Sequence, residues 1–216
     1  WLVIPFSIIV VLFSIFISRK IKIKTLHLHK AIADLEDSEK QKKQLAYFDT
    51  LTSLTNRNLF TEILEHEIYQ VKRYKESFAL LYIDLDRFKF INDTLGHDAG
   101  DELIIETGKR LNKCTRESDI LARSGGDEFL LILSSPNSQK HSALVAQKII
   151  ETISKPFMLD GHEMFISASI GIVFCPQNGT DSTTLLKRAD IEMYEAKANG
   201  KNQYHAFEKN ATSYRT

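Results

Sequence analysis

The chain has 216 residues, room for one ordinary domain with appendages, and 43% of them are hydrophobic, enough for a sizeable core. Its 28 Lys and Arg balance 28 Asp and Glu, so no global charge argues for a nucleic-acid partner. The two cysteines, Cys114 and Cys175, show neither metal-ligand spacing nor a disulfide framework and fit a reducing compartment.

Trp1 to Ser18 is uncharged and mostly apolar, interrupted mildly by Pro5, and about long enough to span a bilayer core. Arg19, Lys20, Lys22 and Lys24 follow, which by the positive-inside rule places the rest of the chain in the cytoplasm. Residues 1–18 are therefore expected to be a transmembrane helix in the inner membrane. A cleaved signal peptide would want basic residues before the run and small ones at its end. Beginning at Trp rather than Met, the chain is expected to be part of a longer protein.

Between Ile21 and Tyr47 there is no Pro or Gly, and Leu28, Ile32 and Leu35 follow a 3,4 spacing. The expectation is a helical linker over residues 19–46, either paired with its copy as a coiled coil or solvated singly, since the seam lapses at Glu39 and Lys42. A globular domain is expected over 47–208, with 209–216 as a tail.

Within that domain the spacing of Leu59, Ile63, Ile68 and Val71 predicts a helix over Asn58 to Lys72. Phe78 to Leu85 reads as a buried strand with Asp84 and Asp86 at its end. Ala99 to Cys114 reads as a second helix, with Leu103, Ile104 and Leu111 on its apolar side. A hairpin around Gly125, a polar loop with Pro136 and a helix over Ser142 to Ile153 follow. Met164, Ile166, Ala168, Ile170 and Ile172 alternate as in a half-buried strand. A last helix, Thr183 to Ala198, stops at Asn199-Gly200. Strands alternating with helices in this order predict one α/β sandwich around a central sheet.

The hairpin carries Gly125-Gly126-Asp127-Glu128-Phe129 between two apolar runs. Its glycines allow a tight turn and close approach of a phosphate, and its acids can hold a divalent cation; an ordinary turn with solvated acids is the alternative. If the sheet sets this hairpin beside Asp84, three carboxylates meet. Such a cluster needs a cation, and oxygen ligands favour Mg²⁺ or Mn²⁺ over zinc.

Four ordered blocks then carry a resemblance. Asp49-Thr50-Leu51-Thr52-Ser53-Leu54-Thr55-Asn56-Arg57, the run from Asp84 to Asp101 that includes Phe88-Lys89, Asn92-Asp93 and Gly96-His97, the Gly-Gly hairpin, and Ser169-Ile170-Gly171 with Ala189 to Asn202 are similar to the motifs of the GGDEF family of diguanylate cyclases. The resemblance covers about Phe48 to Phe207. It implies an α+β sandwich, palm-like, with a central and mostly antiparallel sheet flanked by helices. It also implies a dimer that condenses two GTP into cyclic di-GMP and pyrophosphate, each 3′-hydroxyl attacking the partner's α-phosphate. A catalytically silent module that binds GTP or cyclic di-GMP is the alternative, and a palm acting on nucleic acid is disfavoured by the charge balance.

Carried over by position, the resemblance implies metal ligation by Asp84, Asp127 and Glu128 with the Leu85 carbonyl, and a catalytic turn of Gly125, Gly126, Asp127 and Glu128. It further implies substrate binding by Phe88, Lys89, Asn92, Asp101, Lys197 and Lys201. Asn92 and Asp101 fall on guanine-reading positions, a pattern adenine cannot satisfy. Arg116 and Asp119 form an R-x-x-D whose Asp lies six positions before Gly125, the family's spacing for an inhibitory product site. Ser53 and Thr55 replace a Gly and a Pro of the first block, and Lys201 replaces an Arg, turning a bidentate clamp into a point charge.

Overall fold

The computed structural model describes residues 3–134 and 139–207, with side chains from Ile8 onward; Trp1, the loop around Pro136 and the 209–216 tail lie outside the described residues. The chain divides into two compact units, residues 1–45 and 46–216.

The first unit is one uninterrupted helix, α1 (Val3–Tyr47), because no Gly or helix-interior Pro breaks it after its first turn. This corrects the expected division into a transmembrane helix over 1–18 and a separate helical linker over 19–46. Among the described residues no helix is long and apolar enough to cross a membrane. The membrane as a partner and the inner membrane as a location, both inferred from that span, lose their support with it.

In the second unit the elements run β1 (Thr55–Asn56), α2 (Arg57–Tyr74), β2 (Phe78–Asp86), α3 (Phe88–Leu95), α4 (His97–Cys114), β3 (Ile120–Gly125), β4 (Glu128–Ser134), α5 (Gln139–Ile153), β5 (Phe157–Leu159), β6 (His162–Met164), β7 (Ser167–Cys175), α6 (Ser182–Ala198) and β8 (Tyr204–Ala206). Asn56 caps α2 by accepting from the Leu59 N–H, and Asp181 caps α6 by accepting from Thr184.

Six strands form one sheet in the order β1-β3-β4-β2-β7-β8. The three central pairings are antiparallel, but β1 with β3 and β7 with β8 at the edges are parallel, so the sheet is mixed. Both parallel pairings involve strands of two or three residues, too short to leave a period-2 pattern in the sequence. The strand expected from Met164 begins at Ser167, and Met164 instead closes a separate β5–β6 hairpin.

Every residue of β2 is buried, as suits the middle of a two-sided sandwich. Its alternation sorts them. Ala79, Leu81, Ile83 and Leu85 join Leu103, Ile104 and Leu111 of α4 and Ile149 and Ile153 of α5 in one core. Phe78, Leu80 and Tyr82 join Phe60, Leu64 and Ile68 of α2 and Leu185, Ala189 and Met193 of α6 in the other. By the same parity Asp84 and Asp86 belong to the α2–α6 side, at the end of the strand.

Candidate active site

The site begins with register. In the β2–β4 ladder Asp84 stands opposite Glu128, and the Leu85 N–H donates to the Asp127 carbonyl at 3.3 Å. Strand pairing therefore sets Asp84 opposite Glu128, with Asp127 at the adjoining turn. The turn between β3 and β4 is tight: Gly125 pairs with Glu128, with a register shift after Arg123, and the backbone takes φ +143° at Gly125 and +53° at Gly126. Side chains resist such angles, and the space a Cβ would enter is open at both positions, leaving room for a ligand above the turn.

On the other side α6 comes in close. A Cβ at Gly171 would stand 2.0 Å from the Ala189 carbonyl oxygen and 2.3 Å from the Met193 nitrogen, so only glycine in β7 admits the helix at this distance. That approach delivers Lys197, whose Nζ lies 2.7 Å from Asp84 Oδ1. Burial, with Asp127 and Glu128 nearby, pushes the Asp84 carboxyl up to about 6 even though Lys197 pulls it down.

Asp86, the next residue of the same parity, is buried and satisfied. It accepts from the Ser167 hydroxyl at 2.6 Å, the Ser169 hydroxyl at 2.8 Å and the Asn202 N–H at 3.2 Å. These bonds tie the loop carrying Lys201 to the strand carrying Asp84. The Lys201 side chain is exposed and takes no hydrogen bond or ion pair among the described residues.

Phe88 and Asn92 lie one helical turn apart on α3 and meet α4 at Gly100, where an added Cβ would stand 1.8 Å from Asn92 Oδ1. That oxygen is buried without a partner among the described residues. Asp101 follows Gly100 on α4, exposed, as is Lys89 on α3. Asn92 and Asp101, the positions expected to read guanine, thus sit on two adjoining helices, separate from the turn that carries Asp127. Arg116 and Asp119 stand before β3; the Asp119 carboxylate accepts from the Arg116 backbone N–H at 2.8 Å, and the Arg116 side chain is exposed.

Two residues that sequence reasoning passed over brace the turn. The Arg123 guanidinium donates to the Gly126 carbonyl at 2.8 and 3.0 Å and to both oxygens of Asp49 at 3.1 Å. Burial would raise the Asp49 carboxyl, but two hydrogen bonds from Thr52 and the Arg123 contacts hold it below the usual carboxylate range. Asp49 stands in the sequence only as the first letter of a motif, and Arg123, two positions before the first glycine, is the available signal.

The comparisons agree with this geometry. The model of the diguanylate cyclase GGDEF domain matches residues 46–203. The chain belongs to the GGDEF-domain family. It is 44% identical over 165 residues to the bifunctional diguanylate cyclase/cyclic di-GMP phosphodiesterase MucR of Pseudomonas aeruginosa, covering 76% of this chain and 24% of that protein. With diguanylate cyclase TpbB of the same species it shares 39% over 166 residues, 76% of this chain and 38% of TpbB. The solved structure of a truncated TpbB comprising only the GGDEF domain superposes with a TM-score of 0.74 at 38% identity, covering 76% of this chain and 96% of that one. The chain thus spans well under half the length of these curated relatives.

GGDEF diguanylate cyclases as a group require a divalent metal, and the donors here fit one. All are oxygens, and an ammonium cation already stands against Asp84. Among the described residues, however, no three His, Cys, Asp or Glu side chains stand as a ready-made ligand array.

Proposed function

We propose that this GGDEF domain condenses two molecules of GTP into cyclic di-GMP, releasing pyrophosphate. The observation that carries the reading is the pairing of Asp84 with Glu128 beside Asp127, three acids of which Asp84 is buried and pushed up to about 6. An arrangement of that kind costs stability unless a cation is part of its use.

Asp84, Asp127 and Glu128, with the Leu85 carbonyl, are the groups that would hold Mg²⁺ or Mn²⁺; such an ion, when bound, offsets charge developing on the phosphates. The remaining work falls to the chain. The open Gly125-Gly126 turn admits the phosphates to the backbone, and Lys197 and Lys89 meet them as point charges. Glu128 takes the proton from a 3′-hydroxyl as its oxygen bonds to the α-phosphorus of the second nucleotide and the bond to pyrophosphate breaks. Two copies, each holding one GTP, complete both bonds of the ring. Asn92, whose Oδ1 lacks a partner, and Asp101 read guanine, with Phe88 packed beside Gly100. Arg116 and Asp119 bind product away from the turn and restrain turnover.

The test is chromatographic analysis of the chain incubated with Mg²⁺ and either GTP or ATP. Cyclic di-GMP from GTP, with ATP inert, is the expected result; binding of cyclic di-GMP with no synthesis would replace the enzyme with a silent receptor. Run with added product, the same assay should show Arg116→Ala turning over at the wild-type rate but no longer slowed. An Arg116→Ala variant as strongly inhibited as wild type would remove that site.

A further inference from the structure

Tyr82 lies in the middle of the fully buried strand β2, and its ring belongs to the apolar core on the α2–α6 side, where a phenylalanine would fill the same space. What the chain adds is a hydroxyl, and that hydroxyl donates to Glu128 Oε2 at 2.7 Å. The contact comes from the ladder: Asp84 is opposite Glu128, so Tyr82, two residues back on the same face, is its diagonal neighbour, within reach of an aromatic side chain.

The hydroxyl is not isolated. Ser124, the residue before the two glycines, stands near the phenol, and its Oγ accepts from Arg57 Nη1 at 3.4 Å.

Resting on the proposed cyclase reading, we infer that Tyr82 is a positioning residue of the reaction: it fixes Oε2 of Glu128 and so leaves Oε1 as the oxygen free for the cation or the 3′-hydroxyl. A carboxylate at the edge of an open turn would otherwise rotate among several orientations, only some of them productive. The pairing is also one the motif itself does not contain, since Tyr82 precedes its first residue.

The experiment is Tyr82→Phe in the full chain, which keeps the ring and removes the bond. Turnover should fall about ten-fold with KM for GTP changed by less than about two-fold, as expected for a group that orients a ligand-bearing carboxylate. Separately, Mn²⁺ is titrated by electron paramagnetic resonance in the presence of 3′-deoxyGTP, which has no 3′-hydroxyl to react. Half-saturation should move about ten-fold higher in Tyr82→Phe. In a Glu128→Gln background the same tyrosine change should move it no further. Unchanged Mn²⁺ half-saturation in the single variant, or an equal shift in both backgrounds, would overturn the proposal. The Mn²⁺ arm needs no turnover, so a chain that binds nucleotide without making product still decides the question, and the product assay separately decides the cyclase reading.

Discussion

Asp49 and Asp84 are both poorly exposed carboxylates in the shell of the Gly125-Gly126 turn, yet the chain treats them in opposite ways. Asp49 receives the Thr52 N–H at 2.8 Å, the Thr52 hydroxyl at 2.7 Å and a forked contact from Arg123, and its carboxyl is held low. Asp84 receives one ammonium, stands opposite Glu128 and close to Asp127, and is pushed up to about 6. A carboxylate whose donors are all supplied by the protein is part of the scaffold. One left short of donors among other acids is kept for something that arrives, and this contrast separates structure from chemistry without reference to the motif.

The strongest way to sharpen the contrast is to remove a carboxylate of the second kind. The Asp127 side chain takes part in no hydrogen bond or ion pair among the described residues and is half-buried at the turn. Asp127→Ala should therefore lower cyclic di-GMP synthesis by at least about a thousand-fold while leaving the melting temperature within a few degrees of wild type. Retained turnover would refute its place in the metal site, and a collapsed fold would move it into Asp49's class.

The clamp should fail in the opposite pattern. Arg123→Ala strands the Asp49 carboxylate in its partly buried site and frees the Gly126 carbonyl, costing about 2–3 kcal/mol of stability. Turnover should fall about ten-fold as the turn loosens, well short of the loss at Asp127. Arg123→Lys restores the charge but not the fork, so denaturant unfolding should place it between wild type and Ala. An Arg123→Ala protein as stable as wild type would show that the clamp is ornamental and that the contrast with Asp84 has been misjudged.

How far these roles were legible depends on range. Helices α2, α4, α5 and α6 appear as apolar periodicity because each buries one face along its whole length, and β2 appears as an unbroken apolar run because it buries both. The helix α3 was hidden: its eight residues, Phe88–Leu95, bury only Ile91, and its start was covered by the motif read over it. Strands β1 and β8 were too short to see. The site residues were legible as types in a familiar order, but nothing local told that Asp84 would face Glu128, that Gly171 would let α6 deliver Lys197, or that Tyr82 would reach the turn. Those depend on register between strands 46 residues apart, which sequence pattern constrains only through the choice of buried face.

The smallest expected effect is the most direct probe of the two carboxylates, because it reads their opposite linkage to pH. Asp84 has its folded-state value raised from 3.8 to about 6, so between about pH 4 and 6 the folded domain holds a proton that the unfolded chain releases, and stability from this group is lost as pH rises through that window. Asp49 has its value lowered, so its contribution is present above the ordinary carboxylate range and is lost as pH falls through the folded value. Asp84→Asn should accordingly stabilise the metal-free chain at pH 7. The shift sets an upper bound of about 3 kcal/mol, and screening around the Lys197 contact leaves about 1 kcal/mol. That gain should shrink steadily as pH falls toward 4 and vanish only below the unfolded value of 3.8, where wild-type Asp84 is protonated in both states. Asp49→Asn should instead destabilise by about 1 kcal/mol at pH 7 and approach wild type only at pH values below those at which Asp84 has stopped titrating. Urea unfolding of the three proteins at pH 4, 5.5 and 7 measures both curves. Stability changes of the same sign at the two positions would mean that Asp84 is as well supplied with donors as Asp49, and would withdraw the argument that it is kept for a cation.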